Sequence, residues 1–177
     1  FKKYKNIYEF GTGSGHNLIA INKILQGKNL YGLDFVQSSV DLVNSFKKKL
    51  KINVTAKLFD MQKPNYKFII KKNSLVFTKG ALEQLSGKIE SFIDYLIKNK
   101  PDLVMHSEPM PNFYDTKNLA DLTGLIFHNK RGYTSNLFHI LSKKEKQKKI
   151  KIIKYFKSPF GSLMMEGYSL IVWKPTK

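Results

Sequence analysis

Three glycines at alternate positions interrupt the run Ile7-Tyr8-Glu9-Phe10-Gly11-Thr12-Gly13-Ser14-Gly15-His16-Asn17. An apolar stretch leads into them and an amphipathic stretch leads out. Glycine allows a sharp backbone turn and close approach to a ligand where a Cβ would clash. A helix opening behind such a loop aims free N–H groups at whatever the loop holds. A purely structural strand-to-helix turn needs one glycine, not three, so the loop reads as a binding loop. Its spacing excludes two phosphate cradles. A dinucleotide loop wants its third glycine one position later, where His16 stands, and a Walker loop needs a Gly-Lys-Ser/Thr that is absent.

Three acids stand at the ends of successive apolar runs. Glu9 precedes the glycine loop, Asp34 ends Tyr31-Gly32-Leu33-Asp34-Phe35, and Asp60 ends Lys57-Leu58-Phe59-Asp60-Met61. Open α/β sheets bind ligands beyond the carboxyl ends of their strands, and a carboxylate at such a tip can accept from both ribose hydroxyls. A fifth run ends Val104-Met105-His106-Ser107-Glu108-Pro109. Alternate strand residues share a face, so His106 and Glu108 can form a general-base pair for an acceptor hydroxyl. The other reading of that pair is a carboxylate capping nearby backbone beside a satisfied, partly buried histidine. His128 and His139 fall on helical patterns and read as structural. Asn112–Asp115 and the segment from Lys130 to Asn136 are polar, aromatic loops suited to lining an acceptor pocket, and Tyr133 and Asn136 can bind a polyhydroxyl compound.

The elements that must position these residues alternate. Asn6–Phe10, Leu30–Phe35, Val54–Phe59, Ser74–Thr78 and Asp102–Ser107 are short apolar runs with abrupt polar or glycine ends, as strands buried on both faces are. Between them, Leu18, Ile19, Ile21, Ile24 and Leu25 mark one helix face. Val40, Leu42, Val43, Phe46 and Leu50 mark a second, and Ile89, Phe92, Ile93, Leu96 and Ile97 a third. Such repeated strand–helix–strand units make a parallel sheet with helices on both faces. Later, Leu119–Phe127 and Ser135–Leu141 read as helices, the second running into the lysine-rich tract Lys143–Lys149, a solvated helix end or a docking patch. Ile150–Phe156 and Ser169–Trp173 read as an antiparallel pair joined through the turn residues Ser158-Pro159-Phe160-Gly161.

The sequence Glu9-Phe10-Gly11-Thr12-Gly13-Ser14-Gly15 resembles motif I of the class I S-adenosylmethionine-dependent methyltransferases. The fourth run and its sequel, Ser74 to Gln84, resemble motif IV of the same family. The resemblance spans Ile7 to Trp173 and implies a Rossmann-like α/β sandwich, a mostly parallel seven-stranded sheet in the order 3-2-1-4-5-7-6. It implies S-adenosylmethionine as cofactor and S-adenosylhomocysteine as product. The implied cofactor set is Glu9, Gly11, Thr12, Gly13, Gly15, Asp34, Phe35, Asp60, Met61 and Lys79. Within it the glycine loop wraps the amino-acid end, Asp60 accepts from the adenine amino group and Met61 lies against the ring. Glu83, Gln84, Tyr133 and Asn136 are candidates for the acceptor, with His106 and Glu108 for catalysis.

The D/N-P-P-Y/F motif of many amino-group nucleic-acid methyltransferases is absent after the fourth run, where Thr78-Lys79-Gly80-Ala81 stands. The expected reaction is O-methylation of a small polar acceptor, sugar-like or a secondary metabolite. The alternative is RNA methylation on a lysine-rich surface. The net charge of +18 points to nucleic acid, yet only Arg131 among the 31 basic residues is arginine, the side chain suited to bidentate phosphate recognition. A cysteine count of zero excludes disulfides, thiolate metal sites and cysteine nucleophiles together. The four scattered histidines form no metal-ligand pattern, so no metal is expected. No apolar run approaches the ~20 residues of a membrane span, and no signal peptide opens the chain, so a cytoplasmic protein is expected. The 177 residues are read as one domain. They open almost directly on a strand, and an N-terminal segment of the kind that often covers the cofactor is expected outside them.

Overall fold

A computed structural model describes residues 1–158, 161–162 and 168–176. Seven strands form one sheet: β1 (Asn6–Phe10), β2 (Asn29–Asp34), β3 (Val54–Leu58), β4 (Ser74–Lys79), β5 (Leu103–Glu108), β6 (Ile150–Phe156) and β7 (Ser169–Pro175). Among the described residues five helices accompany them: α1 (His16–Ile24), α2 (Gln37–Lys49), α3 (Glu90–Asn99), α4 (Leu119–Arg131) and α5 (Leu137–Lys146). Short 3-10 turns over Leu82–Leu85 and Pro111–Phe113 were not anticipated. Both are too brief to carry a periodic pattern.

The strand order is β3-β2-β1-β4-β5-β7-β6, as the resemblance implies. The sheet is mixed, however, and this corrects the expectation of a mostly parallel one. The β1–β2, β1–β4, β2–β3 and β4–β5 pairings are parallel, whereas β7 runs antiparallel to both its neighbours, β5 and β6. β6 and β7 are consecutive strands that pair directly, so the chain reverses direction between them. Of the turn expected there, Pro159 and Phe160 lie outside the described residues.

Two apolar layers sandwich the sheet. On one face Leu18 of α1 and Val40 and Val43 of α2 pack against Ile7, Leu30, Val54, Leu75 and Phe77. On the other, Phe92, Ile93, Tyr95 and Leu96 of α3 and Ile140 and Leu141 of α5 pack against Tyr8, Phe10, Val76, Val104, Ile171 and Trp173. Central β1 is buried at every position, with Asn6 and Glu9 as its two polar residues.

The lysine tract is not wholly a solvated helix end. Lys144, 4% exposed, reaches from α5 to Glu90 at 3.0 Å and Asp94 at 2.5 Å on α3. Its helical spacing from Leu137, Ile140 and Leu141 places it on the packed face, where its aliphatic stem is covered and its ammonium ties two helices together. No helix among the described residues is long and apolar enough to cross a membrane.

Candidate functional site

At the carboxyl ends of β1, β2 and β4 lies a cleft of about 540 Å³, lined among others by Gly11, Gly13, Asp34, Phe35, Asp60 and Met61. That volume is within the ~300–1,000 Å³ usual for small-molecule sites. Every one of those six residues was expected there. The structure also brings in Val36, Ser39, Gln62, Gly80, Ala81 and Leu85. Gly80 and Ala81 fall within the stretch that resembles motif IV, whereas for Val36, Ser39, Gln62 and Leu85 the sequence signal was adjacency to a strand-end residue.

The loop needs its glycines for two reasons. A Cβ on Gly11 would lie 2.3 Å from the Ala81 Cβ, so the turn after β4 presses directly on the loop. Gly15 caps α1 with φ +73°, and a Cβ there would meet Val43 at 2.7 Å and Phe46 at 2.9 Å of α2. Gly15 therefore packs the loop on α2 rather than lining the cleft.

The acids have divided roles. Asp34 shapes the cleft: Oδ2 accepts from the Gly13 N–H at 2.8 Å and Oδ1 from the Val36 N–H at 3.0 Å. Each carboxylate oxygen has room for a second hydrogen bond, so acceptors remain for a ligand. Asp60 lines the cleft with its Oδ1 taking the Gln62 N–H at 2.8 Å. Glu9 instead lies beneath the loop. Its Oε2 accepts from the Thr12 hydroxyl at 2.9 Å and its Oε1 from Asn17 Nδ2 at 2.7 Å. Burial pushes its carboxyl up to about 7, against those two hydrogen bonds and the Lys79 charge. Glu9 and Thr12 thus brace the loop from behind.

Phe35 stands 71% exposed at the rim. Lys79 does not reach the cleft. It lines a separate groove with Phe1, Ala20, Ile21, Ile24 and Met105, because the end of β4 turns this side chain toward α1.

The proposed pair on β5 is corrected. His106 and Glu108 do share a face with Val104, but it is the face packed under α3 and α5. His106 is 0% exposed, tilted against Trp173 with ring centroids 6.1 Å apart. Its Nδ1 is 2.9 Å from the Thr78 hydroxyl, which itself hydrogen-bonds Glu108. With that hydroxyl donating to Glu108, His106 Nδ1 is a donor and Nε2 carries no proton. Burial pulls the imidazole down to about 3. A group sealed in the core cannot take a proton from a substrate, so His106 leaves the list of bases. Glu108 is a cap: it accepts the backbone N–H groups of Ala81 and Glu83, and burial raises its carboxyl to about 7.

Of the acceptor candidates, Gln84 lines the cleft, its Nε2 donating to the Gly80 carbonyl at 3.0 Å. Glu83, Tyr133 and Asn136 lie away from the cleft walls. The Glu83 carbonyl accepts from the Thr134 N–H at 2.7 Å, and Asn136 Nδ2 donates to the Gly87 carbonyl at 3.1 Å. Tyr133 packs edge-on against His128 at 5.3 Å.

Solved structures share this topology at low identity. The mitomycin 7-O-methyltransferase MmcR superposes with a TM-score of 0.73 and 11% identity, covering 99% of this chain and 50% of that one. A SAM-dependent methyltransferase from Aquifex aeolicus gives 0.65 and 15%, covering 98% and 82%. The O-methyltransferase NcsB1 of neocarzinostatin biosynthesis, solved with S-adenosylmethionine and 2-hydroxy-5-methyl naphthoic acid, gives 0.69 and 11%, covering 98% and 49%. The chain spans about half the length of the first and third. No protein-family model and no curated protein matches it. At these identities the likeness shows a fold.

Proposed function

We propose that this chain, which has the class I S-adenosylmethionine-dependent methyltransferase fold, transfers a methyl group from that cofactor to a hydroxyl of a small polar acceptor. The observation that carries the reading is the convergence of Gly11, Gly13, Asp34, Asp60 and Met61 on one cleft at the carboxyl ends of the strands. Those residues fit the cofactor. The glycine loop takes the amino-acid end, the free acceptor capacity of Asp34 suits the ribose hydroxyls, and Asp60 and Met61 suit the adenine.

The bound sulfonium supplies an already activated methyl group. The chain has to hold the acceptor in line and keep water out. Phe35, Val36 and Leu85 give the cleft apolar walls for the second task. The NcsB1 complex, an O-methyltransferase with a hydroxylated aromatic ligand, supports a hydroxyl acceptor. Calorimetry tests the cofactor: S-adenosylhomocysteine should bind and NAD should not. NAD binding with no response to either adenosyl ligand would overturn the reading.

The net charge of +18 favours a second reading, RNA methylation. It requires RNA affinity that falls steeply with salt. A titration between 50 and 200 mM salt showing weak binding at every concentration would remove it.

A further inference from the structure

Four of the buried polar atoms without partners lie on Glu83, His128 and Asn136, behind the cleft walls. Glu83 is 5% exposed and its Oε2 has no hydrogen-bond partner. His128, on α4, is 1% exposed, and neither ring nitrogen has one. The imidazole is held edge-on between Tyr114 at 6.3 Å and Tyr133 at 5.3 Å. Asn136 Oδ1 is likewise buried and unpartnered. Backbone hydrogen bonds knit these residues together: the Thr134 N–H to the Glu83 carbonyl, and the Tyr133 N–H to the His128 carbonyl. Tyr168 enters from the start of β7, and its hydroxyl is pushed up by burial and by Glu83, Glu108 and Tyr133.

Burying an unpaired polar group costs free energy, and native folds keep few of them. Asp34 uses both of its carboxylate oxygens. Glu9 and Glu108 each use both carboxylate oxygens. Ser74 Oγ, His106 Nε2 and Trp173 Nε1 are unpartnered too, but they are sealed at 0% exposure, whereas the atoms on Glu83, His128 and Asn136 lie close behind a cleft wall and can bind a ligand. Gly80 joins the cluster to the cleft. It lines the cleft, and a Cβ on its backbone would lie 2.8 Å from the Tyr168 hydroxyl.

We infer that Glu83, His128, Tyr133 and Tyr168 form the acceptor site, in which Glu83 receives the proton of a neutral acceptor's hydroxyl and His128 hydrogen-bonds that acceptor. The inference rests on the methyl-transfer reading above. In the step, the acceptor O–H bond breaks and its proton passes to the Glu83 carboxylate. The oxygen forms its bond to the methyl group as the S–CH3 bond breaks. That bond pair stays on sulfur, leaving neutral S-adenosylhomocysteine. A carboxylate suits a hydroxyl here. It would hold an amine as its ammonium ion, whose nitrogen has no lone pair to offer. Burial raises Glu83 to about 7, so near neutral pH it is a better proton acceptor than an ordinary carboxylate. The groups facing it are Glu108 from β5 and Tyr168 from the approach to β7, with Tyr133 from the α4–α5 link facing Tyr168 in turn. Burial lowers His128, which keeps its ring neutral.

The test pairs Glu83→Gln and His128→Asn with the unchanged protein. Methyl transfer from labelled S-adenosylmethionine is assayed against monosaccharides, nucleotide-sugars, simple phenols and primary amines. S-adenosylhomocysteine affinity is measured by calorimetry on all three proteins. We expect transfer to a hydroxyl compound, with a rate that rises with pH through about 7. Glu83→Gln should lower kcat about a hundredfold or more, abolish that rise and leave S-adenosylhomocysteine affinity within twofold. His128→Asn should raise KM more than it lowers kcat. Wild-type turnover in Glu83→Gln, transfer to amines alone, or no transfer to any compound by a protein that binds S-adenosylhomocysteine would each overturn the acceptor site. Failure to bind S-adenosylhomocysteine would instead overturn the methyl-transfer reading beneath it.

Discussion

Both carboxylate oxygens of Glu108 accept from the backbone N–H of Ala81, at 3.2 and 3.0 Å. The bond anchors the end of β5 to the turn after β4, whose Ala81 side chain presses on Gly11. One buried carboxylate thus sets the distance between two walls of the cleft. Glu108→Ala would strand the N–H groups of Ala81 and Glu83. It should destabilise the fold by about 1–3 kcal/mol in urea unfolding and also weaken S-adenosylhomocysteine. A variant as stable as the parent would show that the turn holds its shape without the cap.

Asp34→Ala should weaken S-adenosylhomocysteine by about tenfold or more, since unmade hydrogen bonds to a buried group cost about 1–3 kcal/mol. Two losses combine: the ribose acceptors, and the hold on the Gly13 N–H. Calorimetry gives the comparison, and unchanged affinity would place the ribose elsewhere.

Glu9, Glu83 and Glu108 are all raised to about 7 by burial. A carboxyl with a higher pKa folded than unfolded binds more protons in the folded state between the two values. Stability therefore falls as pH rises from the ordinary 4.5 toward 7. The lowered imidazoles of His106 and His128 act in the opposite sense up to their ordinary 6.5, so the net fall is smaller than the three acids alone would give. Thermal unfolding at constant ionic strength should show it, and Glu9→Gln should flatten the slope. A melting temperature that climbs from pH 5 to pH 8 would contradict the buried acids.

Lys144 is buried while its partners Glu90 and Asp94 are half-exposed. Water can take over the carboxylates when the lysine goes, so Lys144→Ala should cost only about 1–2 kcal/mol, more than Lys143→Ala. Equal effects would mean that the α3–α5 link is not a structural tie.

The cleft was legible because its chemistry is local. Glycines and strand-end acids lie within a few residues of the turns they shape, and a strand end is readable from its apolar run. The β5 pair was misread for the opposite reason. Alternation shows that His106 and Glu108 share a face, yet which face depends on where α3 and α5 land, and that is decided by packing over long sequence distances. His128 was read as structural from sequence. Its helical position resembles a core position, and only the tertiary structure reveals that both ring nitrogens lack partners. The order of the strands came from the family resemblance, whereas the mixed sheet follows from one reversal at β7.

That reversal has a kinetic side. Strand β7 pairs with β5 on one flank and β6 on the other, so β6 has no edge to join until β7 is in place. During synthesis, β6 leaves the ribosome earlier with its apolar Ile152 and Ile153 and no partner strand. The chain must hold this segment unpaired, or let α5 shelter it, until β7 arrives. Closure of the sheet is then a late, long-range event of high contact order. Its lysines, Lys151 and Lys154, are the charges that discourage an unpaired strand from joining another chain while it waits.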